Sequence, residues 1–401
     1  MNEIIVVGDV HEGINFGFQI DSETGLSART LDTHNNFTRA AQFAIENVAK
    51  LFVIVGDLFD RTHVSPAFRE LVRRDVIEPL AEAGIGIWIL AGNHDQPRNT
   101  HKGTSIDDFR GYPHVRVYRN PTTEKLTIDG KTVGCIIVPY LHPTHIAGLV
   151  REKLGKETSQ EQMFHQGQEV LKNWIKNRTE ELDADFKILF AHYYIEGAKL
   201  RETACPEVLP GEFSFRKDMI PDNLDLAIFG HIHLHQVMRS NSTELIYAGA
   251  VERIDWGEMG DKKGFIAINL FAPNKWHFEE LPTRDMLKIE VEVAADDDPT
   301  QKILDAIPDV TEKLVRLEVA IGEGLRSKVA EGKIAEKLRG AFNYDVRWRE
   351  KSAEKVGFAN FTMDPFELLK NFIEINYSTH PKCDALLDEG RNILEEVLRE
   401  D

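Results

Sequence analysis

The sequence has few cysteines and no long hydrophobic run, and both absences restrict what the protein can be. Its three cysteines, Cys135, Cys205 and Cys383, lie far apart and form no Cys-x-x-Cys pair. We therefore expect neither a disulfide framework nor a cysteine-zinc site, and a reducing compartment such as the cytoplasm is the natural location. No stretch approaches the roughly eighteen consecutive apolar residues of a membrane-spanning helix. The first residues, Met-Asn-Glu-Ile-Ile-Val-Val, lack the basic segment of a secretion signal and predict a β-strand.

The sequence has fewer basic than acidic residues. The chain contains 48 lysines and arginines against 66 aspartates and glutamates, which gives a formal net charge of −18. Because such a chain lacks a broad basic surface, we expect it to bind duplex DNA weakly by itself and with strong sensitivity to salt. The balance does not exclude a hydrolase whose metal ions bring positive charge to the site. No Gly-x-x-x-x-Gly-Lys-Ser/Thr phosphate-binding loop occurs, so any ATP hydrolysis must come from a partner.

The length of 401 residues predicts more than one domain, since a domain averages about 150 residues. Up to about residue 280, short runs rich in Ile, Val, Leu and Phe alternate with helix-like patterns at 35–50, 67–83 and 159–178. This alternation predicts an α/β fold whose strands are buried on both faces. The predicted strands are 4–7, 51–55, 85–90, 133–138, 187–191, 226–229 and 245–248.

The pattern changes after about residue 283. Strands are predicted at 287–293, 314–321 and 344–349, with helices at 299–307 and 326–342 between them, which is a small α/β unit. A polar stretch follows and is predicted to be a linker. Asp364-Pro365 then provides a good N-cap and first turn for a helix at 366–375, and a second apolar helix is predicted at 383–399.

Polar residues follow directly after five of the predicted strands. Any one of these short motifs alone is typical of a turn, a loop or a surface histidine. Side chains at the strand ends of an α/β sheet converge on one crevice, so five such segments in order indicate a shared site. They are Asp9-x-His11, Gly56-Asp57-x-x-Asp60, Gly92-Asn93-His94-Asp95, His192 and Gly230-His231-x-His233.

The residue types in this set are metal ligands. Carboxylate, imidazole and amide oxygen together suit Mn²⁺, Fe²⁺ or Zn²⁺ rather than Ca²⁺. Two ions that share one carboxylate and take three further ligands each need seven ligands, and one histidine, His94, is then left over. Ions about 3.5–4 Å apart can hold a phosphate and activate a bridging water, while His94 protonates the leaving oxygen. The seven are Asp9, His11, Asp57, Asn93, His192, His231 and His233.

The order of these motifs resembles that of the calcineurin-like metallophosphoesterase superfamily over roughly residues 1–280. Within it, the segment Gly56-Asp-Leu-Phe-Asp-Arg-Thr-His-Val-Ser-Pro66 is similar to the SbcD nuclease family. So are Tyr247-Ala-Gly-Ala-Val-Glu-Arg-Ile-Asp-Trp-Gly-Glu258 and Lys263-Gly-Phe265. The family supplies nuclease subunits to double-strand-break repair complexes. Bacterial-type members of this family carry Asp at the position of Asp60, which implies a bacterial or phage lineage for this sequence.

The resemblance implies a role for each motif residue. Asp9, His11 and His233 would hold the first metal, and Asn93, His192 and His231 the second, with Asp57 bridging them. His94 would be the catalytic histidine, oriented by its neighbour Asp95. Archaeal and eukaryotic members use a second catalytic histidine at the position of Asp60, and His63 could replace it, although a loop histidine is more often solvated. Arg253, inside the family-like loop, is a candidate DNA contact.

The resemblance also implies fold and activity. The expected fold class is α/β, a two-sheet metallophosphoesterase sandwich flanked by helices, followed by a small α/β capping domain and a C-terminal helical pair. The expected activity is a Mn²⁺-dependent 3′→5′ DNA exonuclease and endonuclease for recombination, repair or replication. The protein would work as a homodimer, with an SMC-like ATPase (SbcC-type) bound through the C-terminal helices. The domains would be a nuclease domain at 1–283, a DNA-binding capping domain at 284–350, a linker at 351–363 and a partner-binding region at 364–401.

Two other functions fit parts of the sequence. A phosphoprotein phosphatase or small phosphodiester hydrolase of the same superfamily would share Gly56-Asp-x-x-Asp-Arg61. Asn-His-Asp in place of Asn-His-Glu and the extra C-terminal residues argue against that function. A DNA-end tethering scaffold without turnover is the third possibility, and the complete ligand set argues against it.

Overall fold

The computed structural model describes residues 3–14, 16, 20–22, 24–97, 102–143, 145–146, 150, 159–201, 212–322, 324–351, 369–370, 373 and 386–391. The chain divides into two compact units, Met1–Met286 and Leu287–Asp401. Each unit has its own hydrophobic core. No helix in the described part of the chain is long and apolar enough to cross a membrane.

The first unit is built from twelve described strands and the helices between them. Buried strands such as Ile-Ile-Val-Val at 4–7 have apolar side chains on both faces, as expected for the inner strands of a covered sheet. The strands are β1 (Ile4–Val7), β2 (Leu51–Val55), β3 (Gly86–Leu90), β4 (Val115–Tyr118), β5 (Thr122–Ile128), β6 (Lys131–Val138), β7 (Phe186–His192), β8 (Leu226–Gly230), β9 (Gln236–Ser240), β10 (Thr243–Tyr247), β11 (Gly264–Ile268) and β12 (Trp276–Glu280).

These strands form two six-stranded sheets. The first has the order β12-β11-β1-β2-β3-β4, and the second has the order β5-β6-β7-β8-β10-β9. In the first sheet β1, β2, β3 and β4 run parallel, and in the second β6, β7, β8 and β10 do. The carboxyl ends of each parallel set therefore lie at one edge of its sheet.

The two sheets pack face to face around an apolar core. Val53 and Val55 of the first sheet and Phe190 and Ile228 of the second belong to the same buried cluster. Two further clusters lie on the outer faces, beneath the helices. The helices are α1 (Ala28–Glu46), α2 (Pro66–Val72) continuing through a π-helical turn (Arg73–Ile77) into α3 (Glu78–Glu82), and α4 (Gln160–Glu181). The predicted α/β sandwich of two sheets flanked by helices is confirmed.

The second unit is a small α/β structure around a three-stranded sheet in the order β13-β14-β15. These strands are β13 (Met286–Val293), β14 (Leu314–Gly322) and β15 (Asn343–Lys351), with helices α5 (Pro299–Ala306) and α6 (Glu331–Leu338). Helix α5 begins where Asp298 accepts hydrogen bonds from the backbone of Thr300 and Gln301. Ile303, Leu317 and Ile334 contribute to the hydrophobic core of the second unit.

The single helix predicted at 326–342 is wrong. A 3₁₀ turn at Arg326–Lys328 is separated from α6 by two non-helical residues, Val329 and Ala330. The reason is that the Ala330 backbone N–H bonds the side-chain oxygen of Thr300 at 2.9 Å instead of continuing the helix. The predicted linker at 351–363 and helix at 366–375 lie almost entirely outside the described residues. Of the predicted helix at 383–399, residues 386–391 are described and are helical.

The inter-sheet core gives a stability prediction. Phe190 is fully buried between the sheets, and its replacement by alanine should lower the free energy of unfolding by about 3–5 kcal/mol because a large cavity is left. Phe271 serves as the control, because its ring is 45% exposed and its truncation should cost only about 0.5–1 kcal/mol. Urea denaturation followed by fluorescence compares the two, and equal losses would show that this cluster does not stabilise the unit.

Candidate metal centre

The five polar segments meet at the strand ends of the two facing sheets. Asp9 and Asp57 lie two residues beyond β1 and β2, and Asn93 lies three residues beyond β3. His192 ends β7, and His231 immediately follows β8. Because parallel strands end at the same edge, three segments from the first sheet and two from the second converge there.

The backbone at this edge is in an unusual conformation. Asp9, His11 and Asp57 have φ angles of 48°, 52° and 51°, and His231 has a φ of 94°. L-residues other than glycine seldom adopt this left-handed region, and the surrounding structure must hold them there. Such a strained backbone, repeated at four positions of one cluster, is typical of a functional site.

The first group of ligand atoms consists of Asp9, His11 and His233. One ligand atom from each lies within 4.8 Å of the others, and His11 Nε2 is 3.1 Å from His233 Nε2. Two ligands each about 2.1 Å from a metal ion, at tetrahedral or octahedral angles, are roughly 3.0–3.4 Å apart. The two imidazoles therefore have the separation of ligands that share one ion.

The second group consists of Asp57, Asn93, His192 and His231. Asn93 Oδ1 lies 3.0 Å from His192 Nε2 and 2.9 Å from His231 Nδ1. Asp57 Oδ2 lies 3.3 Å from His192 Nε2 and 3.9 Å from His11 Nε2. Asp57 thus faces both groups, which is the position expected for a shared carboxylate.

In two of the histidines, the ring nitrogen that faces away from the cluster, Nδ1, is hydrogen-bonded to an oxygen atom. His192 Nδ1 donates a hydrogen bond to the Val55 carbonyl at 2.8 Å, and His233 Nδ1 donates to Glu258 Oε1 at 2.8 Å. With Nδ1 carrying the proton, each Nε2 presents its lone pair to the centre of the cluster. This is how the ligand histidines of metal sites are usually oriented.

The cluster also contains buried polar atoms with nothing to bond. Asp9 Oδ2 and His11 Nδ1 have no hydrogen-bond partner among the residues that the structure describes. Such atoms are rare in protein interiors because each costs desolvation energy. Together with the carboxylate, imidazole and amide donors, they show that these side chains fit a pair of divalent cations.

The charges of the cluster favour the same conclusion. Burial, reinforced by His94, lowers the pKa of His11 well below its ordinary value, and burial lowers that of His231 to about 3. Both rings are therefore neutral, as metal ligands must be. Burial acts to raise the pKa of Asp57, but His192 and His94 hold it well below its usual value. Burial acts to lower the pKa of His192, yet the neighbouring Asp57 carboxylate raises it to about 9, which reflects the strong attraction between these two buried groups.

His94 lies at the edge of the cluster and is only partly buried. Its backbone N–H donates to Asp57 Oδ1 at 2.8 Å, and its Nδ1 donates to the Asp60 carbonyl at 2.6 Å. The prediction that Asp95 orients this ring is wrong, because the Asp95 carboxylate accepts hydrogen bonds from the backbone of Leu58, Phe59 and Gly92 instead. The backbone of Asp60 fixes His94, and Asp95 holds the loops together.

Three other residues from the sequence analysis lie outside the two groups of ligand atoms. The Arg253 guanidinium donates hydrogen bonds to the carbonyls of Asp261 and Arg284, which helps to hold the loop, and its contact with DNA stays a prediction. His63 is exposed and lies 3.2 Å from the hydroxyl of Thr62. The Asp60 carboxylate lies 3.8 Å from His11 Nδ1 and pairs with Arg61, which places it beside the cluster.

Sequence reasoning missed two carboxylates behind the paired histidines. Glu258 accepts from His233, and Glu212 Oε1 lies 3.2 Å from His231 Nε2. Glu258 stands inside the family-like segment but had no role assigned to it. Charged residues at 1% and 8% exposure have few reasons to be buried without a partner, although burial itself is not readable from the sequence.

Close packing at Gly92 gives a prediction for the site. A Cβ at this position would overlap both the Asp57 carboxylate and its backbone nitrogen, so Gly92→Ala should displace Asp57 and weaken metal binding by at least about 10-fold. Gly103→Ala is the control, since its nearest neighbour would be Asp107 Oδ2 at 3.9 Å. Equilibrium dialysis with Mn²⁺ measures both variants. Unchanged binding in Gly92→Ala would mean that the Asp57 position is not needed.

Comparison with known proteins gives one family. A family model described as calcineurin-like phosphoesterase matches residues 3–235. The DNA double-strand break repair protein Mre11 of Archaeoglobus fulgidus is 24% identical over 358 residues, covering 84% of this chain and 70% of that protein. The SbcD subunit of the nuclease SbcCD of Bacillus subtilis is 22% identical over 260 residues, covering 64% of each. The chain thus spans about two thirds of the length of these two relatives.

One similar solved structure is only distantly similar to this chain. A dimetal phosphatase from Danio rerio is 12% identical with a TM-score of 0.37, and the match covers 66% of this chain and 90% of that one. A TM-score this low carries no argument about function.

Proposed function

This chain belongs to the calcineurin-like phosphoesterase family, and from that premise we propose that it is a two-metal nuclease acting on DNA ends. At the family level it is a metal-dependent phosphoesterase. The proposal of DNA as substrate is supported by the two relatives, one named as a double-strand break repair protein and the other as part of a nuclease.

The observation that carries the proposal is the position of Asp57 between two groups of ligand atoms. Asp9, His11 and His233 are proposed to hold one divalent ion, and Asn93, His192 and His231 a second, with Asp57 contacting both. When bound, such a pair supplies positive charge for the phosphate oxygens and a water of lowered pKa. We propose Mn²⁺, following the resemblance to the SbcD family.

The residues of the chain then have defined tasks. Water adds to phosphorus, the bond from phosphorus to the leaving oxygen breaks, and that oxygen takes up a proton. His94 is proposed to deliver this proton from Nε2, because its Nδ1 is occupied by the Asp60 carbonyl. Asp95, which accepts three backbone hydrogen bonds, keeps the loops after β2 and β3 at the spacing this transfer needs.

The assembly is proposed from the resemblance to the same family. The chain would act as a homodimer with an SMC-like ATPase bound through residues 364–401, most of which lie outside the described residues. A partner is also consistent with the net charge of −18, because an acidic chain has weak electrostatic attraction for DNA.

The test is cleavage of end-labelled duplex DNA in the presence of Mn²⁺, compared with hydrolysis of a phosphopeptide. We expect metal-dependent shortening of the DNA from its ends, lost with EDTA, and little phosphate release from the peptide. The superfamily also includes phosphoprotein phosphatases, and the opposite result, peptide hydrolysis without DNA cleavage, would make this protein one of them. Metal binding and DNA binding without hydrolysis of either substrate would instead indicate a tethering scaffold.

A further inference from the structure

A buried acid–base pair lies directly behind His233. Glu258 ends the 3₁₀ turn Trp256–Glu258, and Lys263 immediately precedes β11. Both side chains are buried, with 1% or less of their surface exposed. Burying two charged groups costs desolvation free energy, so a buried ion pair at this position indicates a specific role. Both residues lie in the family-like segments of the sequence, yet neither belongs to the proposed ligand set.

The two residues and His233 form a closed ring of polar contacts. Glu258 Oε1 accepts from His233 Nδ1 at 2.8 Å, and Glu258 Oε2 lies 2.9 Å from Lys263 Nζ. Lys263 Nζ in turn donates to the backbone carbonyl of His233 at 3.0 Å. A further backbone hydrogen bond, from Ile254 N–H to Glu258 Oε2 at 3.0 Å, fixes the carboxylate in place.

These contacts determine the tautomer and the orientation of the His233 imidazole. A carboxylate at Nδ1 requires the proton to be on Nδ1, which leaves the lone pair on Nε2. That Nε2 is the atom 3.1 Å from His11 Nε2, inside the first ligand group. Lys263 contacts both the Glu258 carboxylate and the His233 backbone carbonyl. It therefore fixes the imidazole of His233 relative to the main chain of the same residue. The geometry therefore selects both the tautomer and the direction of the ligand atom.

We propose that Glu258 and Lys263 are positioning residues that fix the Nδ1–H tautomer and the orientation of His233, and thereby set the affinity of the first metal site alone. This inference rests on the proposed two-metal function. It adds that the metal affinities of the two sites are set separately. Among the described residues, the Glu258–Lys263 pair contacts His233 and no member of the second ligand group.

The first test is a Mn²⁺ titration by calorimetry of the wild type and Glu258→Gln. We expect two sites in the wild type, and in the variant a loss of about 10–100-fold at one site only. The matched control is Glu279→Gln, because Glu279 also contacts a histidine, His277 at 2.9 Å, but on the exposed surface of β12. Two unchanged sites in Glu258→Gln, or equal losses at both sites, would overturn the inference.

A double variant separates positioning from simple charge balance. Glu258→Gln alone leaves buried Lys263 with Asp261 Oδ2, 3.9 Å from its Nζ, in place of the closer Glu258 carboxylate, whereas Glu258→Gln with Lys263→Met removes both charges of the pair. We expect the double variant to recover thermal stability relative to the single variant but to keep the weakened first site. Recovery of tight binding at both sites would show that Glu258 serves only to neutralise Lys263.

A measurement on the wild type does not depend on how the Glu258 and Lys263 variants fold. Histidine labelled with ¹⁵N in the ring reports the tautomer by NMR, and His233→Ala identifies the signal. We expect the Nδ1–H tautomer at His233 in the metal-free protein, and the Nε2–H tautomer would overturn the inference. Failure of the wild type to bind Mn²⁺ at all would instead contradict the proposed function, so the two failures can be told apart.

Discussion

Replacing His94 with alanine should lower DNA cleavage by roughly 10²–10⁴-fold, the usual contribution of a general acid, while both metal ions stay bound. The reason is the geometry of the ring. The Asp60 carbonyl holds His94 Nδ1, which leaves Nε2 as the ring atom proposed to donate the proton, and the residue is only partly buried. The measurement is the rate of Mn²⁺-dependent DNA cleavage at saturating metal, together with the number of ions bound.

His63→Ala is the control for this experiment. His63 lies two residues beyond the Gly56-Asp-x-x-Asp-Arg61 motif, is exposed and has its Nδ1 3.2 Å from the neighbouring Thr62 hydroxyl. We expect its variant to cleave at the wild-type rate. His94 also lies within reach of His11 and Asp57 as a third ligand atom. Loss of one metal in His94→Ala would therefore reassign His94 as a ligand and contradict its role as an acid.

Replacing Asp57 with asparagine should abolish tight binding of both ions. Asparagine keeps an oxygen that can accept the His94 backbone N–H, at present 2.8 Å from Asp57 Oδ1, so the loop is expected to keep its position. What the variant loses is the negative charge shared by the two ligand groups. Because changes behind a metal ligand alone cost about 10–100-fold in affinity, loss of a shared ligand should cost at least about 100-fold at each site.

Equilibrium dialysis with Mn²⁺ measures this effect, and the control is Asp305→Asn on the exposed surface of α5. The control should bind two ions as the wild type does. Loss of only one ion in Asp57→Asn would show that this carboxylate belongs to one group and is not shared.

The strand ends could be predicted from the sequence because each depends on a short apolar run and on the polar residues directly after it. A run such as Leu51–Val55 predicts a buried strand, and the polar residues that follow it must lie at the edge of the sheet. The same reasoning applies after β1, β3, β7 and β8, and the structure brings the ligand candidates from all five segments together.

The parts that sequence reasoning missed depend on partners distant along the chain or on backbone atoms. Glu258 lies 25 residues after His233, and only the fold brings their side chains to 2.8 Å. The group that orients His94 is a backbone carbonyl, and since every residue has one, it has no sequence signature. The adjacent Asp95 was the natural but wrong candidate.

Edge strands were missed for a related reason. The strand Trp276–Glu280 contains histidine and two glutamates, and its side chains are half-buried or exposed, so it has neither a continuous apolar run nor a clean alternation. It pairs antiparallel with β11 (Gly264–Ile268) at the outer edge of the first sheet. Such strands are determined by their neighbours more than by their own residues.

The most direct test of the two-metal site is the anomalous scattering of Mn²⁺ in crystals of the protein. We expect two peaks about 3.5–4 Å apart, one beside Asp9, His11 and His233 and the other beside Asn93, His192 and His231. The Asp57 carboxylate should contact both. A single peak, a pair without Asp57 between them, or no peak at the strand ends would contradict the two-metal site.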